Sequence, residues 1–219
     1  MVRISLANKL LPRRVKGLLL NMRDQFLHRR SWASRGYSLP APRKIKNATL
    51  VRHGHHGGIW IETGTHLGQT TEFISGFANH VFTIEPSANL FEKAQKRLSK
   101  CQNVTTILGT SEEQLPTLLE RLSEKQSKLT CWLDGHYSGG ETFQGRVDTP
   151  IKQELKSIAE FKHSFSSVII LVDDVRCFEP QNPIYSSYPD LDWLVDWCRS
   201  NNFTWNIEFD IFIAKWFQH

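Results

Sequence analysis

The sequence predicts an α/β fold: a doubly wound, mostly parallel sheet of seven strands with an antiparallel C-terminal hairpin. Three observations carry that prediction. From residue 47 onward, short apolar runs alternate with helix-like segments, the order of βαβ units that build a parallel sheet. Four of those runs end in an acid, at Glu62, Glu85, Asp134 and Asp173, and the carboxyl ends of parallel strands open on one crevice. The last two extended pieces follow one another directly, as the arms of a hairpin do.

In order, Gly57 and Gly58 precede the first strand, 59–62, and a glycine-bearing turn leads to a helix from about Gly68 carrying Thr70, Phe73, Ile74 and Phe77. The second strand, 80–85, stops at Glu85 before Pro86. A helix over 89–100 follows, with basic residues in its last turn, where the helix dipole favours them. Strand three is 104–108, and Gly109-Thr110-Ser111 opens a helix with Leu115, Leu118, Leu119 and Leu122 on one face. Strand four, 129–134, runs into the glycine-rich loop 135–140. Pro150 starts a helix with Ile151, Leu155, Ile158 and Phe161. Strand five, 167–172, is apolar after Ser167, as suits a central strand buried on both faces, and ends in Asp173-Asp174. A helix over 191–198 precedes the closing pieces at 204–209 and 210–216.

Charge divides the chain. Residues 1–46 hold 12 Lys or Arg against one acid, Asp24, leaving 15 bases and 21 acids for residues 47–219. The basic character therefore belongs to the N-terminal arm, and the mildly acidic body gives no basis for a nucleic-acid surface. In the arm, Leu10 to Leu27 carries apolar residues at helical spacing after Pro12, and residues 34–46 read as a linker. Such a helix can pack on the domain, or lie on an anionic membrane or a partner subunit. Residues 1–46 are thus read as an extension and 47–219 as the domain. Four cysteines without C-x-x-C spacing, no secretory leader and no apolar run of membrane-spanning length point to a reduced, cytoplasmic protein, with peripheral membrane contact and homo-oligomerisation left open.

The first strand and turn, Ile59 to Gly68, organise the site. Gly64 and the acid Glu85, 21 positions on, have the spacing at which an acid meets ribose hydroxyls. The glycines form G-x-x-x-G, not the G-x-G-x-x-G that cradles a pyrophosphate. A cofactor with a ribose and no pyrophosphate, S-adenosyl-L-methionine (SAM), fits better.

Glu62-Thr-Gly-Thr-His-Leu-Gly68, Thr83-Ile-Glu-Pro86, Leu133-Asp-Gly-His-Tyr-Ser-Gly-Gly140 and Val172-Asp-Asp174 together resemble a class I SAM-dependent methyltransferase. More narrowly, they resemble the metal-dependent sugar O-methyltransferases of the macrocin type, over about residues 47–216. The resemblance implies a Rossmann-like domain that methylates a hydroxyl of a small-molecule or glycan acceptor. It implies that Glu62, Gly64, Thr65 and Gly68 border the methionine end of SAM, that Glu85 holds the ribose, and that Ser111 and Glu112 lie on the adenine side. Asp134, Asp173 and Asp174 match the acids that hold Mg²⁺, Asp134 also lying against the cofactor. His136 falls where a general base, often an Asp, is placed. That histidine and Thr110, where many relatives have an acid, depart from the pattern.

The chemistry is coherent on its own terms. A hard cation on carboxylate oxygens can chelate neighbouring hydroxyls and stabilise a developing alkoxide, and an imidazole can take the proton. Plainer readings stand beside each residue. Asp173-Asp174 can cap a helix, His136 can be a loop residue, and Tyr137 can simply wall a pocket. The cluster His53-Gly54-His55-His56 is read as a polar loop, and Trp193, Trp197, Trp205 and Trp216 as packing residues. A Rossmann-like oxidoreductase and a non-catalytic module docked through its basic arm are the competing functions.

Overall fold

In the computed structural model of the chain, residues 30–123, 127–135 and 149–218 are described. The strands are β1 (Ile59–Thr63), β2 (His80–Glu85), β3 (Val104–Leu108), β4 (Lys128–Leu133), β5 (Ser167–Val172), β6 (Thr204–Glu208) and β7 (Ile211–Phe217). The helices are α1 (Arg43–His53), α2 (Gln69–Ser75), α3 (Ala88–Leu98), α4 (Ser111–Leu122), α5 (Ile151–Phe161) and α6 (Leu191–Ser200). They surround one sheet of order β3-β2-β1-β4-β5-β7-β6, parallel except that β7 runs antiparallel to both β5 and β6. The doubly wound sheet and its terminal hairpin are as the sequence predicts.

Two packed layers follow from strand alternation. Ile61, Cys131, Val168, Ile170 and Phe212 face the apolar stripes of α4, α5 and α6. Trp60, Trp132, Ile169, Leu171 and Ile213 face the other way, with Leu50 of α1 and Ile74 of α2. β5 is buried at every residue, as its apolar run 168–172 requires, and its polar first residue, Ser167, bonds His55.

Strand order reverses between β1 and β4, the switch point at which open α/β sheets place a ligand crevice. Register makes that crevice level. Thr63 pairs with Ile84 on one side and Leu133 on the other, and Leu133 pairs with Val172. Gly64, Glu85, Asp134 and Asp173 therefore leave the sheet in one row.

Several details differ from the sequence reading. The boundary expected at 46/47 falls inside α1, so residues 43–46, read as linker, form its first turn. That helix is tied to the sheet by Arg52 and His53, both bound to Glu208 of β6. α2 stops at Ser75, and Phe77 turns back to pack edge-on against Trp60 and Phe73. The 53–56 cluster is structural. Gly54 has no room for a Cβ, which would fall 2.2 Å from the Trp60 ring, and His55 bonds Thr130 and Ser167. Burial pushes the His55 imidazole down to about 4, so it stays neutral. Trp216 lies in the core, with Trp193 and Trp197 packed at its margin, and Trp205 stacks on Phe212. Cys101, Cys131, Cys177 and Cys198 are free thiols. Among the described residues no helix is long and apolar enough to cross a membrane. The amphipathic segment expected over residues 10–29 lies outside the described residues.

Candidate functional site

The turn after β1 lies directly on the loop after β4. Gly64 has φ +85°, and a Cβ there would fall 2.5 Å from the carbonyl oxygen of Asp134. Only glycine meets both demands. Its N–H and that of Thr65 donate to the Ile84 carbonyl at 3.0 and 3.2 Å, hanging the turn on the end of β2. Gly68, at φ +72°, caps α2 where a Cβ would press on Leu98.

Glu85 accepts the backbone N–H of His66 at 2.7 Å and of Ser87 at 3.0 Å, one on each oxygen. Burial lifts its carboxyl above the ordinary value, and these two donors oppose the lift. The Gly109 N–H donates to the Glu85 carbonyl, so the start of α4 lies beside it. There Ser111 is buried and Glu112 exposed.

Glu62 occupies a different level from the one its motif suggests. It is 1% exposed, beneath the turn, and its Oε2 accepts the hydroxyls of Thr83, at 2.7 Å, and Thr71. Thr65 is buried too, its hydroxyl bonded to that of Thr83. Expected at the cofactor surface, the Glu62 and Thr65 side chains instead tie β1, β2 and α2 together below it. Sequence spacing marks the end of a strand but not which side of the turn a side chain takes.

Burial pushes the Glu62 carboxyl up to about 7, against the hydroxyls that favour its ionised form. Relative to an ordinary glutamate this disfavours ionisation by about 3 kcal/mol. Between pH 4.5 and about 7 the folded chain retains a proton that the unfolded chain releases. Stability from this group is present below that window and lost as pH rises through it. We expect thermal melts of Glu62→Gln to show a shallower fall in Tm from pH 5 to pH 8 than the unmodified chain.

The acids after β4 and β5 converge. Ligand oxygens of Asp134, Asp173 and Asp174 lie within 4.8 Å of one another, the one such group of three among the described residues. Asp174 has φ +58° and ψ +48°, a left-handed conformation that Asp enters more readily than most residues, and its N–H donates to Asp173 Oδ1. Burial, reinforced by Asp173 and Asp174, holds the Asp134 carboxyl well above its ordinary range. Burial and the Asp174 charge push Asp173 up to about 6.

Two cations compensate this charge. Lys46 Nζ donates to Asp173 Oδ2 at 2.6 Å and to Asp174 Oδ1 at 2.9 Å. Arg176 donates to the same Asp174 oxygen at 2.6 Å and also binds Asp210, which in turn accepts the Arg176 backbone N–H. Burial works against the Lys46 ammonium, and the two aspartates outweigh it, holding the group charged. The sequence reading did not single out Lys46, Arg176 or Asp210. Arg176 lies two residues beyond Asp174 and was within reach of a local motif. Lys46 stands 127 positions from Asp173, in a basic cluster that looks like any solvated segment.

Beside the triad a small cavity is lined by Leu133, Thr149, Glu154, Asp173, Phe178 and Tyr188. The donor set suits a hard divalent cation: three carboxylates in mutual reach, at a position already attractive enough to hold an ammonium. His136 and Tyr137 lie outside the described residues.

The fold is the Rossmann-like fold of SAM-dependent methyltransferases. Among solved structures the chain is similar to a provisionally assigned methyltransferase from Streptococcus mutans in complex with SAH, at 16% identity and TM-score 0.50, covering 81% of this chain and 98% of that one. It is similar to precorrin-6y C5,15-methyltransferase of Geobacter metallireducens, at 13% identity and TM-score 0.52, covering 80% and 87%. It is also similar to the N-methyltransferase NodS of Bradyrhizobium japonicum, at 10% identity and TM-score 0.51, covering 79% and 94%. No protein-family model and no curated protein sequence matches the chain.

Proposed function

We propose that this chain is a SAM-dependent O-methyltransferase acting on a hydroxyl of a sugar or glycoside, assisted by Mg²⁺. The observation that carries the reading is the row of Gly64, Glu85, Asp134 and Asp173 at the switch point, with the acidic triad at one end. Likeness to the macrocin-type enzymes, in the motifs around Glu62, Glu85, Asp134 and Asp173, supports the narrower assignment.

SAM would lie across the strand ends, its ribose on Glu85 and its methionine end over the Gly64–Gly68 turn, with Asp134 beside it and Ser111 and Glu112 toward the adenine. When bound, SAM would supply an electrophilic methyl group for transfer to an acceptor oxygen. Gly64 lets the turn lie directly on the loop after β4, while Glu62, through Thr71 and Thr83, keeps the turn in place. Asp134, Asp173 and Asp174 are the residues that would hold Mg²⁺, which, when bound, would lower the cost of charge on an acceptor hydroxyl. His136 is the candidate base. Much of the acceleration would come from positioning acceptor and methyl donor together.

Calorimetry with S-adenosylhomocysteine and with NAD tests the class. We expect heat of binding with the first only. Binding of NAD alone would move the chain to an oxidoreductase. Binding of S-adenosylhomocysteine without transfer of labelled methyl to any glycan pool would favour a non-catalytic module, docked on a membrane or assembly through residues 1–46.

A further inference from the structure

We propose that Lys46 is a tethered competitor of the divalent cation, its ammonium holding the carboxylate oxygens that the ion must take, so that loading the site releases Lys46. The inference rests on the metal reading of the triad given above. The geometry behind it is specific. Lys46 Nζ bridges one oxygen from each of two adjacent acids at 2.6 and 2.9 Å, as a chelated cation would. Asp174 Oδ1 already carries both Lys46 and Arg176, so a divalent ion reaching it would bring a third positive centre to one oxygen, against strong repulsion in a buried setting.

Lys46 can leave, and Arg176 cannot leave as easily. The lysine side chain is 17% exposed and ends a flexible four-carbon stem, whereas Asp173 and Asp174 are almost wholly covered. Arg176 is clasped between Asp174 and Asp210, so it remains as a standing counter-ion. α1 itself does not have to move, because Arg52 and His53 hold it to Glu208 from its far end. Before the ion arrives, Lys46 offsets the cost of burying like charges together. Afterwards its ammonium is freed at the mouth of the site.

The 219-residue chain without SAM would be titrated with Mn²⁺, following the free ion by electron paramagnetic resonance, for the wild type, Lys46→Met and Lys46→Arg. We expect Lys46→Met to bind about tenfold more tightly than wild type, and Lys46→Arg to resemble wild type. A second measurement needs no variant: amine acylation of Lys46, read by mass spectrometry with and without Mg²⁺ at constant ionic strength. Its rate should rise several-fold with the ion. Equal Mn²⁺ affinity in wild type and Lys46→Met overturns the competition and leaves the metal reading standing. So does a Lys46 acylation rate that Mg²⁺ leaves unchanged while the ion binds. Absence of Mn²⁺ binding in all three proteins overturns both.

Discussion

Asp134→Asn is expected to reduce methyl transfer by roughly a thousandfold, the scale on which removing a group that stabilises developing charge acts. Affinity for S-adenosylhomocysteine should change far less. The asparagine keeps the size of the side chain and removes its charge. The Asp134 carbonyl on which Gly64 rests belongs to the backbone and is untouched. Turnover with labelled SAM and a glycan pool, set beside calorimetry with S-adenosylhomocysteine, separates the two effects. EDTA should reproduce the loss in the unmodified chain. Full activity in EDTA would remove the ion from the mechanism and leave the transferase reading intact.

The second large effect is expected at Gly64. An alanine there must hold φ near +85° and place its Cβ 2.5 Å from a backbone oxygen with no side-chain freedom to yield. The left-handed conformation costs about 1–2 kcal/mol, and relieving the overlap adds a comparable amount. For a chain of this size a loss of that order lowers Tm by roughly 5–10 °C. S-adenosylhomocysteine binding should weaken with it, because the turn can relax only by lifting off the loop after β4. Gly36→Ala is the control. It also has positive φ, +64°, but nothing lies within 4 Å of its added Cβ. Melting curves should show a small loss at Gly36 and a large one at Gly64; equal losses would mean that conformation, not contact, sets the cost.

These expectations draw on two kinds of legibility. The strands could be read because burial on both faces demands apolar runs, and β5 shows this over 168–172. Acids at strand ends stood out because nothing in a buried strand calls for them. The helices α4 and α5 followed from Leu115, Leu118, Leu119 and Leu122, and from Ile151, Leu155 and Ile158, one face of each. Glu62 shows the limit. Its position at a strand end was legible, but its direction was not, since only the packing of α2 over β1 and β2 brings Thr71 and Thr83 to its carboxylate.

By itself, then, the sequence determined the parallel sheet, its closing hairpin, the glycine turn at Gly64 and the set of acids at the strand ends. Local periodicity and backbone conformation decide those features, and both are written in neighbouring residues. Tertiary structure alone decided the strand register that sets Gly64, Glu85, Asp134 and Asp173 in one row. It alone buried Glu62 beneath the turn and brought Lys46 across 127 positions to Asp173. The reason is physical: a charge is attracted by whatever lies within a few ångströms of it, and only the folded chain determines what that is.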